Sequence, residues 1–228
     1  MKRFYKQVGT GPGNTITLDG KPIKTPAQAL LALPTVALAD AVAHEWASQD
    51  KDIKTETMPL TRMANTAIDR TAILRDHVTD ELLGYGKNDL VAYRAVEPEL
   101  LIARQRSAWD PLLAWLEEEH GAKIATGQGI THVPQPDHAI GALKRALDGL
   151  DTWQLTGLQT AVGITGSLAL GLALASGHID AAEAFRLSRV DEDFQAEKWG
   201  IDAEAEKRAR ALAHELAEAG KFIALAKA

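Results

Sequence analysis

The sequence predicts an α+β protein in which a small β-containing N-terminal domain, residues 1–56, precedes a larger all-helical domain, residues 57–228. Short β-prone segments separated by glycine turns lie near the N-terminus, whereas hydrophobic residues after Met58 recur at helical spacing. The 228 residues are 46% hydrophobic and 25% charged, which is typical of a folded globular protein. The sequence contains no cysteine, so disulfides, thiolate metal ligands and a cysteine nucleophile are excluded.

In the N-terminal domain, Asp19-Gly20 predicts a hairpin turn, because glycine accepts the positive φ that a tight reversal requires. The turn joins a strand at residues 15–18 to a return strand at 21–25, and a glycine-rich loop at 9–14 precedes them. Thr35 then predicts the N-cap of a helix that runs to about Gln49, since the apolar residues of this segment fall on one side.

The helical domain is predicted from apolar spacing together with capping residues. Pro111 must interrupt the helix that starts near Pro98: either Asp110 caps a new helix, or the helix kinks. Asp180 with Glu183 is typical of a capping box. The predicted helices span residues 59–83, 98–121, 137–150, 155–176, 180–198 and 202–226.

Residues 155–176 contain no charged side chain and are numerous enough to suggest a membrane span. However, the flanking residues Asp151 and Asp180 are acidic, and the segment includes four glycines, which lower helix propensity by about 1 kcal/mol each. Glycines suit places where neighbouring helices approach closely. A central buried helix is therefore the favoured interpretation, and no membrane insertion is expected.

The chain has 31 acidic and 25 basic residues, a net charge of −6, so neither nucleic acid nor an anionic membrane is a predicted partner. The densest basic cluster, residues 207–210, alternates with Glu204 and Glu206 at helical i,i+4 spacing, which indicates a solvated helix face. The first residues show neither a secretory signal nor a transit peptide. We therefore expect a cytoplasmic protein, and we expect it to be a monomer.

Motifs for catalysis and for metal or cofactor binding are missing from the sequence. The loop at 9–14 lacks the lysine and hydroxyl residue of a P-loop and leads into a strand. Glu117 and His120 form a single Glu-x-x-His pair, whereas a di-iron bundle needs two. The other histidines lack metal-ligand spacing, and no Gly-x-Ser-x-Gly segment is present. We predict no catalytic, cofactor-binding or metal-binding residue, and we expect a protein that is not an enzyme.

An acidic run near the C-terminus is the most unusual feature of the sequence. Asp191-Glu192-Asp193 places three adjacent carboxylates in the middle of the predicted 180–198 helix, where like charges repel. A solvated helix face or a salt bridge to another helix explains such a run, and so does a docking site for a basic patch on a partner. Trp199 ends the same helix beside Gly200, and tryptophan among polar groups is typical of binding hot spots.

Motifs along almost the whole chain resemble those of one protein family. They are Leu18-Asp19-Gly20-Lys21-Pro22-Ile23-Lys24-Thr25-Pro26-Ala27, Glu45-Trp46, Met58-Pro59-Leu60-Thr61, Ala64-Asn65-Thr66-Ala67-Ile68-Asp69, Tyr93-Arg94, Glu97-Pro98, Gln105, Trp109-Asp110-Pro111, Asp191-Glu192, Gln195 and Trp199-Gly200. In this order they resemble the ATP synthase assembly chaperones that hold the alpha subunit of the catalytic head, the ATP-twelve family.

The resemblance implies a small β-containing domain, a larger helical domain and a non-catalytic role. The chaperone would bind the free alpha subunit until a beta subunit takes its place. An acidic position of the C-terminal acidic–Gln–Trp–Gly motif is implicated in function within the family. The resemblance therefore implies a set of partner-binding residues, which are Asp191, Glu192, Asp193, Gln195 and Trp199. The lack of a targeting extension indicates a bacterial relative, since eukaryotic members would act in the mitochondrial matrix.

Two functions from other classes compete with this interpretation. One is a hydrolase that uses Asp191, Glu192 and a distant histidine. The other is a general protein-binding adaptor with an unrelated partner. Loss of turnover on substitution of the two acidic residues would identify the hydrolase, and recovery of other proteins without alpha subunit would identify the adaptor.

Overall fold

The computed structural model describes residues 1–200 and 202–227. Its internal contacts divide the chain into two compact units. Unit 1 contains residues 1–75, 151–157 and 218–228, and unit 2 contains residues 76–150 and 158–217. The domain boundary between residues 56 and 57 stays a prediction.

The secondary structure confirms the predicted fold class, because a small N-terminal sheet region precedes a mostly helical part. The strands are β1 Val8–Gly11, β2 Thr15–Leu18, β3 Lys21–Pro22, β4 Tyr93–Arg94 and β5 Gly127–Gln128. The helices are α1 Val36–Ala47, α2 Pro59–Thr66, α3 Arg75–Lys87, α4 Glu99–His120, α5 Asp137–Asp148, α6 Thr152–Thr165, α7 Leu168–Ser176, α8 Ala181–Ser188, α9 Val190–Trp199 and α10 Ala203–Lys227. Within the described residues, no helix is both long enough and apolar enough to span a membrane.

In unit 1, β1, β2 and β3 form an antiparallel sheet in that order. The predicted hairpin turn is confirmed: Asp19 and Gly20 have φ angles of 49° and 77°. The amides of Gln7 and Lys6 donate hydrogen bonds to the Asp19 carboxylate and lower its pKa. The loop predicted at 9–14 is shorter in the structure, because β1 extends to Gly11 by pairing with β2.

The core of unit 1 combines the sheet and α1 with the last turns of α10. Ile16, Leu38, Val42 and Phe222 are fully buried in one cluster. The Thr35 hydroxyl caps α1 as predicted, since it accepts a hydrogen bond from the amide of Leu38.

Hydrogen bonds join two pairs of sequence motifs in unit 1. Glu45 of α1 accepts hydrogen bonds from the amides of Leu60 and Thr61, at 2.7 and 2.8 Å, and so caps the start of α2. Burial raises the pKa of Glu45, and the hydrogen bonds oppose this rise. Likewise, the Thr25 hydroxyl donates to the Asp69 carboxylate at 2.6 Å. These motif residues therefore stabilise the fold.

The helix predicted at 59–83 is divided in the structure into α2 and α3. A wider turn of helix at Ala67–Thr71 separates them. Thr71 is fully buried, and its hydroxyl accepts a hydrogen bond from the Thr156 hydroxyl at 2.8 Å. Residues 72–74 then form a turn before α3 begins, and because they contain neither glycine nor proline, the sequence carries no local signal for the division.

The charge-free segment 155–176 is also two helices in the structure, so the prediction of one continuous helix is wrong. Gly166 lies between α6 and α7 with φ 68°, and Ser167 caps α7 by accepting a hydrogen bond from the amide of Leu170. The predicted close approach is confirmed at Gly171, where a Cβ atom would lie 2.5 Å from Val162.

A buried carboxylate holds the start of α7 in unit 2. Asp89 is 1% exposed and accepts hydrogen bonds from the amides of Val91 and Ala169, at 3.2 and 3.0 Å. The Ser167 hydroxyl and the amide of Leu168 also donate to it. Burial raises the pKa of Asp89 to about 6. The hydrogen bonds favour the charged carboxylate and so limit this rise.

Pro111 lies inside α4, which runs without interruption from Glu99 to His120. Asp110 is therefore not the cap of a new helix, and that alternative is wrong. The helical part also contains a parallel pair of two-residue strands, β4 and β5, that apolar spacing did not predict.

Candidate partner-binding site

The acidic run lies at the beginning of a helix. The continuous helix predicted at 180–198 is wrong, because Arg189, with φ −116° and ψ 17°, separates α8 from α9. Asp191, Glu192 and Asp193 consequently occupy the first turn of α9. Carboxylates there are stabilised by the unpaired amides and the positive end of the helix dipole, which offsets the repulsion expected in mid-helix.

The three carboxylates have different environments. Asp191 is half-buried and accepts a hydrogen bond from Nε2 of Gln105 at 2.7 Å. Asp193 is exposed and pairs with Nε of Arg189 at 3.3 Å. Glu192 is exposed, and within residues 1–200 and 202–227 its carboxylate has no hydrogen bond or ion pair. Glu192 is thus the carboxylate of these three without such a contact.

Gln105 connects α4 to α9 and to the segment after β4. Its side chain is 1% exposed, and its Oε1 accepts a hydrogen bond from the amide of Ala95 at 2.7 Å. Its Nε2 donates to Asp191, so both ends of the amide are used. Only the family resemblance drew attention to Gln105 in the sequence. Its position as a polar residue on an apolar helical stripe also indicates a buried side chain with polar partners.

Arg94 completes this network from β4. It donates to the backbone carbonyl of Gln105 at 2.9 Å and pairs with Asp110 at 2.8 Å, and its guanidinium lies 5.1 Å from the centre of the Trp109 ring. Burial lowers the pKa of Arg94, and the Asp110 carboxylate opposes this effect. Trp109 in turn donates to the carbonyl of Leu187 at the end of α8.

The inward face of α9 is fixed at Phe194, which is buried. Arg104 and Lys198 lie over its ring, at 5.2 and 4.6 Å from the centroid. Arg104 also forms two hydrogen bonds with Glu197, at 2.8 and 2.6 Å. With this face anchored, the opposite face of α9 is presented to solvent.

The outward face of α9 carries the remaining predicted residues. Gln195 is exposed, and Trp199 is 78% exposed. Together with Glu192 and Asp193 they line an open groove of about 670 Å³ between α9 and the first half of α10. Asp191 does not line this groove, because it faces α4. Four of the five predicted residues are therefore brought together, and the fifth positions the helix that bears them.

The hydrolase alternative requires a histidine bonded to Asp191 or Glu192. In the part of the chain that the structure describes, Asp191 accepts a hydrogen bond from Gln105, and neither Asp191 nor Glu192 forms a hydrogen bond or ion pair with a histidine. No group of three or more His, Asp or Glu residues there is arranged to hold a metal ion. What the site presents is an exposed tryptophan beside a free carboxylate.

Replacement of Gln105 by leucine is expected to lower the free energy of unfolding by about 2 kcal/mol, because the buried amide of Ala95 and the Asp191 carboxylate both lose their partner. Urea denaturation followed by circular dichroism measures the change. The variant Lys144→Ala provides the control: it breaks an exposed ion pair with Asp148 on α5 and should leave stability almost unchanged. Equal losses in the two variants would show that the buried amide is not the important contact.

Comparison with known proteins finds one matching family and solved structures of similar sequence and fold. The family described as ATP12 chaperone protein matches residues 2–117. The crystal structure of Atp12 from Paracoccus denitrificans is 41% identical, with a TM-score of 0.93 over 99% of this chain and 98% of that one. The crystal structure of the Atu1473 protein from Agrobacterium tumefaciens is 40% identical, with a TM-score of 0.90 over 97% of this chain and 84% of that one.

Proposed function

Because the chain belongs to the ATP12 chaperone family, we propose that it binds the free alpha subunit of the F-type ATP synthase and protects it until the beta subunit takes its place. The observation that supports this role most directly is the outward face of α9, where Trp199 is 78% exposed and lines the same groove as Glu192, whose carboxylate has no polar partner among the described residues. Asp193 and Gln195 extend this face, and Asp191 anchors it from within.

The proposed mechanism uses contact alone. An unassembled subunit exposes the interface intended for its neighbour, and large exposed apolar patches promote aggregation. A folded protein that covers the patch stabilises the subunit by mass action, so no nucleotide or catalytic step is required. Release needs only that the beta subunit bind the same interface more tightly. We place this activity in the bacterial cytoplasm, where the alpha subunit is made.

Co-expression with the alpha subunit of the same organism tests the proposal. We expect the alpha subunit to remain soluble and to co-purify with the chaperone, and added beta subunit to displace the chaperone from it. An adaptor with another client would leave the alpha subunit insoluble, and a hydrolase would show turnover that is lost on alanine substitution of Asp191 and Glu192.

Charge reversal by Glu192→Lys is expected to weaken binding of the alpha subunit about tenfold and to make the remaining affinity less sensitive to salt, because a partner's basic groups lose an unpaired carboxylate. Calorimetry at two salt concentrations measures both effects. Glu99→Lys is the matched control, since Glu99 is an exposed acidic residue in the first turn of α4. Unchanged affinity in a folded Glu192→Lys protein would remove Glu192 from the interface.

A further inference from the structure

The groove beside Trp199 has walls built from two helical faces. On α9 the lining residues follow the spacing i, i+3, i+4, i+7 that defines one side of a helix, and they are Glu192, Gln195, Ala196 and Trp199. On α10 the same spacing recurs, starting from Asp202, in Ala205, Glu206 and Ala209. Two such faces side by side form the type of groove into which a third helix packs.

Small and apolar side chains form part of the groove's lining, which we call its apolar floor. Alanines at 196, 205 and 209 and Leu212 line it, and small side chains at these positions permit a close approach of another helix. The groove has a volume of about 670 Å³ and is open to solvent. Trp199 stands at one end with most of its indole in solvent, so an occupant would cover it.

The charges around the groove are mainly acidic. Four acidic side chains line it among the described residues, against Arg189 and Arg208. Arg189 pairs with Asp193 and Arg210 pairs with Glu206, so Glu192 and Asp202 are the lining carboxylates without an ion pair in the described part of the chain. The net charge of the whole protein is −6, which disfavours a second copy of this chain as the occupant. An occupant with basic residues beside an apolar stripe complements both the floor and the rim.

From this geometry we infer that the groove between α9 and the first half of α10 receives an amphipathic, basic helix of the client protein. The inference rests on the proposed chaperone function and specifies how the client is recognised. Apolar residues of the client helix lie on the alanine floor and against Trp199, and its lysines or arginines face Glu192 and the acidic rim. Helices with apolar anchors at i, i+3, i+4 and i+7 are commonly recognised in this way.

An arginine placed in the groove tests the inference. Ala205 is exposed and lines the groove, so Ala205→Arg fills it and repels a basic helix without disturbing a core. Ala211→Arg is the matched control, because Ala211 is exposed on the same helix but does not line the groove, and both variants add the same charge. We expect the affinity for the alpha subunit to fall about tenfold for Ala205→Arg and to change less than about twofold for Ala211→Arg.

A synthetic helix provides a probe that does not depend on the alpha subunit. A peptide of about 18 leucine and lysine residues with leucine at helical i, i+3, i+4 spacing should shift the fluorescence of Trp199 to shorter wavelength, as judged against Trp199→Phe. A peptide of the same composition in scrambled order should not. The shift should be absent in Ala205→Arg and retained in Ala211→Arg.

The two probes separate the possible failures. If the alpha subunit binds the native protein, Ala205→Arg and Ala211→Arg equally well, the groove is not its site and the inference fails while the proposed function stands. If the amphipathic peptide binds the groove but the alpha subunit does not bind the protein at all, the proposed function fails. Equal binding of the ordered and scrambled peptides would also overturn the inference, because attraction would then be due to charge alone.

Discussion

Replacement of Asp89 by alanine should lower the free energy of unfolding by about 4 kcal/mol or more, because four buried donors lose their acceptor at ~1–3 kcal/mol each. The donors are the amides of Val91, Leu168 and Ala169 and the Ser167 hydroxyl, so the start of α7 loses its anchor. Urea denaturation at neutral pH measures the loss. Asp80→Ala, an exposed aspartate of α3, should leave stability unchanged.

The pH dependence of this effect has a defined sign. The pKa of Asp89 is raised from 3.8 to about 6, so the folded protein holds this proton more tightly than the unfolded chain. The stability that the group contributes is therefore complete below pH 3.8 and is lost as pH rises through about 6, a change of ~3 kcal/mol. The difference between native protein and Asp89→Ala should widen as pH falls from about 7.5 to about 4.5. A difference that narrows would show that the pKa of Asp89 is lowered.

Trp199→Ala should weaken binding of the alpha subunit about 30-fold, which corresponds to ~2 kcal/mol, because exposed tryptophans at the centre of interfaces dominate their binding energy. Since the indole is 78% exposed, its removal should leave the thermal unfolding midpoint unchanged. Calorimetry and thermal denaturation measure the two quantities on one preparation.

The control for Trp199 is another exposed apolar side chain. Ile130 is fully exposed in unit 2 and does not line the groove, so Ile130→Ala should leave affinity unchanged. If both variants bind like the native protein, the outward face of α9 is not the alpha-subunit site. If Trp199→Ala instead lowers the unfolding midpoint, its indole contributes to the fold.

The elements that the sequence predicted well are those with local signals. Asp19-Gly20 and the caps at Thr35 and Asp180 are found where their chemistry placed them, since each depends on residues within one turn. The prediction failed where a helix ends without a local breaking residue, as at residues 72–74 and at Arg189. The pairing of β4 with β5 joins residues far apart in sequence, which apolar spacing cannot detect.

The acidic run at residues 191–193 was likewise predicted only in part from the sequence. Its unusual charge was evident in the sequence, but its repulsion was overestimated because the break at Arg189 was not predicted. The distinct environments of Asp191, Glu192 and Asp193 depend on contacts with α4 and with Arg189, so spacing alone could not separate them. Gln105 was within reach of sequence reasoning, since a buried amide on an apolar stripe requires polar partners.

The core of unit 1 has a consequence for the order of events during synthesis. Phe222 and Ala219 are fully buried among residues of the first strands and of α1, and the Thr35 hydroxyl donates to the carbonyl of Leu225. A ribosome releases the first 75 residues long before it releases residues 218–227. The apolar face of β2 and α1 that Ala219 and Phe222 cover is therefore completed only when synthesis of α10 ends.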